Sequence, residues 1–259
     1  MKQILDPETP ASAFRIEANR VVLPPGSTPV LSQFDGMAAE AALRIKEARP
    51  VGDRITVISL GESGGAAIRQ VLAMGADEGV LLQDPLFEDG DSHATALALT
   101  AAIRRLDAVD LVLCGRQAAD WDQGQVGLLI AESLDWPAVT IAQSVEALGA
   151  ADLRVRRVLD EGFETVEVAL PAVVTVSNEL GTSRYPRLPQ VIAAAKKPVT
   201  TWGVVDLGLA PEEVGVAGAR LRLERLAAPQ RESHVEFLEG SPAEQAAALV
   251  ARLRADGVL

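Results

Sequence analysis

Three short apolar runs set the architecture of this chain: Ile55–Leu60 (ITVISL), Gly79–Gln83 (GVLLQ) and Asp110–Cys114 (DLVLC). Each is too short for a buried helix and too continuously apolar for a half-exposed strand. They therefore read as strands covered on both faces. Helical patterns fill the intervals. Residues Phe34–Ala48 carry small or apolar residues at Met37, Ala38, Ala41, Ala42 and Ile45. Ser63–Met74 contains Ala67, Ile68, Val71 and Leu72, and Asp91–Leu106 lines up Ala94, Leu97, Ala98, Ala101 and Ala102. Strands alternating with helices of this length imply right-handed βαβ units. The expected fold is α/β, a doubly wound and mostly parallel sheet.

After Pro137 the texture changes. Leu153, Val155 and Arg157, then Phe163–Leu170, read as two alternating strands around Asp160-Glu161-Gly162, which is a hairpin. Ala172–Val176 (AVVTV) is again a buried strand. From Asn178 to Thr201 the chain, with three prolines, reads as irregular. Beyond Val205 it is rich in Gly, Pro and charge until a final helix at Pro242–Arg254. The reading divides the chain into a body at 1–204 and a C-terminal arm at 205–259. An arm of about 50 residues with so few core positions is costly to order alone, so it is expected to pack on a partner chain.

The stretch Asp110–Pro137, DLVLCGRQAADWDQGQVGLLIAESLDWP, is the best equipped for binding. A buried strand runs into Gly115, then into a polar loop with Asp120, Asp122, Gln123, Gly124 and Gln125, and a helix opens near Gly124. Small residues let backbone approach a ligand, and the free N–H groups of a helix N-terminus favour an anion. Asp120 and Asp122 read either as caps of that helix or as a carboxylate pair for acid/base work or Mg²⁺, the first being preferred. Gly61–Gly65 (GESGG) also follows a strand and opens a helix, but it lacks the spacing of a phosphate loop or a dinucleotide fingerprint. In a doubly wound sheet both loops belong to the carboxyl edge of the strands, where ligands bind.

Composition excludes more than it assigns. A net charge of −12 argues against nucleic acid as the partner, although it also serves solubility. Aromatic residues make up only 3%, so a core of Ala, Val, Leu and Ile is required. The one cysteine, Cys114, permits no disulfide within the chain and no cysteine metal site, and it reads as a small buried hydrophobe. There are two histidines, His93 at a helix start and His234 in the arm, and no hydrolytic triad or HExxH pattern. No catalytic or metal-binding residue is expected. Nothing near Met1 resembles a signal peptide and no apolar run reaches the length of a membrane span, so a cytoplasmic protein without membrane insertion is expected.

Four segments carry a family resemblance. They are GRQAADWDQGQVG followed by LDWP; Arg157–Thr175 (RVLDEGFETVEVALPAVVT); Leu72–Asp77 (LAMGAD) with Phe34-Asp35 and Arg44–Glu47 before it; and Arg184–Pro189 (RYPRLP). In their order along the chain they resemble the β-subunit family of electron transfer flavoproteins, including its FixA-like members. The resemblance implies a Rossmann-like, adenine-nucleotide-binding domain in a heterodimer whose α subunit makes most of the FAD contacts. It implies an electron-carrier subunit, not an enzyme. Such a subunit binds AMP structurally, helps to hold FAD, and docks donor and acceptor dehydrogenases or a quinone oxidoreductase. The nucleotide positions it implies are Ser32, Leu60, Gly115, Arg116, Gln117, Ala118, Ala119, Asp120, Trp121, Asp122, Gln123, Gly124, Gln125 and Val126. Leu188 matches the anchor of the partner-docking loop.

The loop reads DQGQVG where the AMP-binding branch has Asn-Gln-Thr-Gly, and this resembles the bifurcating branch, some members of which hold a second FAD there. Trp121 would stack on adenine or block a bulky flavin, and AMP is the preferred reading. A stand-alone nucleotide-binding regulatory domain is a second alternative, disfavoured by the hairpin and the arm. The family's lysine run is reduced to Lys196-Lys197. Family members open with about eight further residues that form a central first strand, of which Met1–Asp6 matches only the end, so open edges are expected on both neighbouring strands.

Overall fold

The structure, a computed structural model, describes residues 1–22, 24–49, 52–62, 64–228 and 235–259. The chain opens with β1 (Gln3–Ile4), a small hairpin of β2 (Arg15–Glu17) and β3 (Arg20–Val22), and β4 (Val30–Leu31), which pairs antiparallel with β1. The alternating section follows: α1 (Gln33–Ala48), β5 (Thr56–Leu60), α2 (Gly64–Met74), β6 (Glu78–Leu82), α3 (Ser92–Arg105), β7 (Leu111–Gly115) and α4 (Val126–Leu134). Then come β8 (Ala138–Ala147), the hairpin β9 (Asp152–Leu159) and β10 (Gly162–Ala169), β11 (Ala172–Val176), α5 (Leu188–Ala194) and β12 (Val199–Trp202). Two single turns, α6 (Val204–Leu207) and α7 (Gly215–Gly218), precede α8 (Pro242–Ala255). The expected α/β class and parallel sheet are present. The start of the second helix at Ser63 and the arm's His234 lie outside the described residues.

The strands form a parallel three-stranded sheet, β12-β6-β5, and a five-stranded sheet, β10-β9-β8-β11-β7, in which β8, β11 and β7 run parallel. Alternation across β11 shows why both faces are covered. Ala172, Val174 and Val176 join the core under α1, whereas Val173 joins Ile103, Ile130 and Ala131 of α3 and α4 on the other side. Likewise Val80 and Leu82 of β6 face Ala98 and Ala102 of α3, and Val57 of β5 lies with Ile68, Val71 and Leu72 of α2. Small alanines on α1 and α3 bring these helices close to the sheet, as the aromatic-poor composition requires.

Among the described residues no ladder joins β5 to β7, so each is the last strand of its sheet, as the sequence led one to expect. Residues 1 and 2 lie between them. The Met1 ammonium donates to the Ile58 carbonyl at 2.7 Å, and the Ser59 hydroxyl donates to the Met1 carbonyl at 2.8 Å. The Met1 side chain touches the cores on both sides of the gap.

Three elements differ from the sequence reading. Residues 178–201 are not irregular throughout, since they hold α5 and β12. Helix α5 makes two turns starting at Leu188-Pro189, too few for a periodic signal. Strand β12 is an edge strand with the sequence VTTW, only partly buried and so lacking an apolar run. Strand β8 has no clean period of two in the sequence, because its register shifts against β11 around Ile141, where φ is +58°, and again against β9 between Ala142 and Ser144.

Candidate functional site

The carboxyl ends of β5 and β7 meet around residues 1 and 2, and the residues singled out in the sequence gather there. Ser32 precedes α1, is fully buried, and donates its backbone N–H to the Lys2 carbonyl at 3.0 Å. Leu60 ends β5 one residue after Ser59, with its side chain turned into the core beside Val80 and Leu82. Gly115 ends β7. Its N–H donates to Asp35 Oδ1 at 2.9 Å, and Oδ2 of the same carboxylate accepts from the Lys2 N–H at 2.6 Å. Lys2 Nζ in turn reaches Asp120 at 2.9 Å. A buried carboxylate in the first turn of α1 thus ties the chain's start, the end of β7 and the following loop together.

Gly115 has to be glycine because a Cβ there would lie 2.6 Å from the Phe34 Cβ and 2.8 Å from the Phe34 carbonyl carbon. Gly127, in the first turn of α4, is equally constrained, since a Cβ would sit 2.7 Å from both Cys114 Sγ and Thr175 Cγ2. These approaches seat α1 and α4 hard against the sheet edge and fix the loop between them. Cys114 is only partly exposed, and desolvation of its thiol pushes it up to about 12.

Within the loop, Arg116 extends β7 by donating its N–H to the Val176 carbonyl at 2.8 Å, and its guanidinium lies 5.3 Å from the centre of the Phe34 ring. The turn is closed by Asp122 N–H to the Ala118 carbonyl at 2.9 Å, and Gln117 Nε2 donates to Asp122 Oδ1 at 2.8 Å. Asp122 and Gly124 take left-handed φ values of +49° and +64°. Gln123 bonds to the Ser92 hydroxyl at 2.5 Å, which docks the loop on α3. Trp121 stands half exposed on the rim, and Ala118, Ala119 and Gln125 complete the surround.

One expectation fails here. The carboxylates of Asp120 and Asp122 do not cap α4. Asp120 accepts from Lys2 Nζ and from the Trp121 N–H, Asp122 accepts from Gln117, and Gln125 at the cap position makes no side-chain cap bond. The left-handed residues turn both acids back into the loop. Helix α4 begins at Val126, and no backbone partner for the N–H groups of Gln123, Gly124, Gln125 and Val126 occurs among the described residues. The Ser32 hydroxyl and Arg116 Nε are buried without a partner beside the same edge. An edge offering open amides, a hydroxyl, a guanidinium and a helix N-terminus is chemically suited to a phosphate-bearing group.

Lys2 and Ser59 carry no motif in the sequence, and Asp35 appears there only within the family resemblance. An acid in the first turn of α1 was the available signal for Asp35. Leu188 lies in a different element, at the start of α5, and is exposed. Among the described residues there is no cluster of three metal-ligating side chains and no helix long and apolar enough to cross a membrane.

Comparisons with known proteins identify the family. Residues 26–207 match the electron transfer flavoprotein domain family. The chain is 38% identical to the electron transfer flavoprotein subunit beta of Thermoanaerobacterium thermosaccharolyticum, over all of this chain and 98% of that protein. It is 36% identical to the caffeyl-CoA reductase–Etf complex subunit CarD of Acetobacterium woodii, over 88% of this chain and 87% of that one. It is 34% identical to the subunit beta of Clostridium acetobutylicum, again over 88% and 87%. The chain belongs to the β-subunit family of electron transfer flavoproteins, as an electron-carrier subunit.

Proposed function

We propose that this subunit holds an adenylate at the Ser32–Leu60–Gly115–Val126 edge and pairs with a flavin-bearing α subunit in a cytoplasmic electron carrier. The carrying observation is the buried Ser32 hydroxyl and Arg116 Nε, both without partners beside the open amides that lead into α4. Each hydrogen bond to a charged phosphate contributes about 1.5–3 kcal/mol, so a few of them hold AMP without a lysine contact. Trp121 on the rim is positioned to cover an adenine. FAD, bound mainly by the α subunit, supplies the redox chemistry. This chain stiffens the edge beside it and carries the docking surface.

Docking is assigned to the segment around Leu188. Tyr185 is 92% exposed and Leu188, three residues on, is 72% exposed. The occupants are donor dehydrogenases of the acyl-CoA type and an acceptor dehydrogenase or quinone oxidoreductase. The arm, 205–259, begins against this chain's own core through Leu207, Leu209 and Val214, and its remainder packs on the α subunit. Helix α8 has no buried residue and leaves Leu249 and Val250 exposed, which supports a missing companion surface.

A second reading puts another FAD in place of AMP, as in a bifurcating carrier. The likeness to a subunit of a caffeyl-CoA reductase–Etf complex favours it. Acid extraction of the purified α/β pair decides between them. One FAD and one AMP per heterodimer support the first reading, two FAD identify the second, and an extract without nucleotide from this subunit overturns both.

A further inference from the structure

Arg184 makes an unusually complete set of contacts for a residue in a loop. Its Nε donates to Glu40 Oε2 at 2.8 Å and its Nη2 to Glu40 Oε1 at 3.1 Å, and its own backbone N–H also reaches Glu40 Oε2 at 3.1 Å. Both terminal nitrogens engage Glu47 as well. Glu40 and Glu47 are two turns apart on one face of α1, so the guanidinium lies along the helix, held at both ends. The Glu40 side chain is only 7% exposed, which makes this more than a surface pair. Arg44, between the two acids, adds a bond to Glu40 at 2.9 Å and one to the Leu180 carbonyl at 3.4 Å.

The segment that begins at Arg184 is fastened again at its far end. Arg69 of α2 donates to the carbonyls of Ala194 and Lys197, each at 2.9 Å, and Lys197 Nζ donates back to the Leu72 and Ala76 carbonyls. Between these two fastenings Leu188, Val191 and Ile192 share one face of α5, at i, i+3 and i+4, and all three are exposed, as is Tyr185 just before the helix. Two cationic grips therefore hold an outward-facing apolar row whose own residues contribute little burial.

We propose that Arg184 is the positioning residue of this docking segment: gripped by Glu40 and Glu47, it fixes Tyr185–Ile192 as a preformed platform for the electron-donating dehydrogenase. The proposal rests on the docking reading above. Its physical basis is preorganisation, because a segment already ordered need not be ordered at the moment of binding. Arg is required over Lys because two carboxylates are bridged through a planar fork.

The test uses the α/β heterodimer with an acyl-CoA dehydrogenase, reduced by its acyl-CoA, as donor. Arg184→Gln is expected to raise the KM for the dehydrogenase about tenfold, roughly the cost of ordering one or two extra side chains, while kcat at saturating donor falls far less. Hydrogen exchange at residues 182–187 should accelerate, FAD content should stay at the wild-type level, and Arg184→Lys should fall between the two. Faster exchange with an unchanged KM would reduce Arg184 to a structural fastening and overturn the proposal, as would unchanged exchange. Leu188→Ala separates the two ideas. If it raises KM while Arg184→Gln does not, the clasp alone fails. If neither variant changes KM, or the wild-type pair is not reduced, the docking reading falls and the proposal with it.

Discussion

Replacing Glu40 by glutamine probes the clasp through its pH dependence. Burial by itself would raise the Glu40 carboxyl, but the hydrogen bonds from Arg184 and Arg44 outweigh it and hold the group down at about 2, against an ordinary 4.5. A carboxyl lowered on folding stabilises the native state above its unfolded value, and that stability is lost as pH falls from 4.5 toward 2. The full contribution is about 3 kcal/mol, of which about 1 is gone by pH 4 and about 2 by pH 3. Glutamine keeps the shape and a carbonyl acceptor but has no charge to titrate. We therefore expect Glu40→Gln to destabilise the heterodimer by about 2–3 kcal/mol at pH 7, with Arg184 still paired to Glu47. The deficit should shrink steadily below pH 4.5. Asp77 and Asp91, also lowered, titrate alike in both proteins and cancel in the difference. Urea titrations followed by tryptophan fluorescence at pH 7, 4 and 3 measure the gap. A gap of constant size across that range would refute the reasoning, because it would mean that Glu40 acts by packing and not as a charge.

Three further outcomes follow from the geometry. Gly127→Ala drives a Cβ to within 2.7 Å of Cys114 Sγ and Thr175 Cγ2. Overpacking of that kind costs about 1–3 kcal/mol, so the melting temperature should fall and nucleotide should leave with the shifted α4; nucleotide content at the wild-type level would contradict the seating argument. The Cys114 thiol, pushed up to about 12 by burial, should resist iodoacetamide at pH 8 in the folded pair and react once urea is added, as mass spectrometry would report. Asp91 caps α3 through the Ala94 N–H at 2.9 Å and also accepts the Arg220 and Leu221 N–H groups at 2.8 and 2.9 Å. Asp91→Ala should therefore cost about 1–2 kcal/mol and speed tryptic cleavage after Arg222 and Arg225, with unchanged digestion speaking against the tether.

What the sequence disclosed, and what it hid, follows from how local each signal is. Strands β5, β6, β7 and β11 are buried on both faces, so their continuous apolar runs announce them without any knowledge of neighbours. Helices α1 to α3 announce themselves by period. The loop at residues 115–126 is legible as a strand-to-helix connection, because glycine and polar residues stand there between a buried strand and a helix. Strand β12 could not, because an edge strand one ladder from solvent has no reason to be apolar throughout. The roles of Asp120 and Asp122 were misjudged for a related reason. Whether an acid next to a helix start caps it depends on the loop's handedness, which is set at Asp122 and Gly124 and not by the spacing. The clasp is invisible in the sequence because Arg184 lies 144 and 137 residues from Glu40 and Glu47, and each alone reads as an ordinary surface charge.

Asp35 bears on how the proposed nucleotide edge would work. At the gap in the sheet, backbone groups that ladders would otherwise satisfy are taken up one by one. The Met1 ammonium serves the Ile58 carbonyl, the Ser59 hydroxyl serves the Met1 carbonyl, and Asp35 accepts both the Gly115 and the Lys2 N–H groups. A buried carboxylate shared between two amides from different parts of the chain is costly to disturb, because either amide would be left without a partner in the interior. It follows that the floor of the nucleotide edge and the closure of the gap are one device. Asp35→Asn illustrates the point: an amide side chain can accept from one of those N–H groups through its oxygen but must present an NH₂ to the other. That clash should loosen Gly115 and the loop behind it, so nucleotide loss and faster hydrogen exchange at Lys2 should appear together in the variant. Exchange that quickens at Lys2 while nucleotide stays bound would show that the gap and the binding edge are independent.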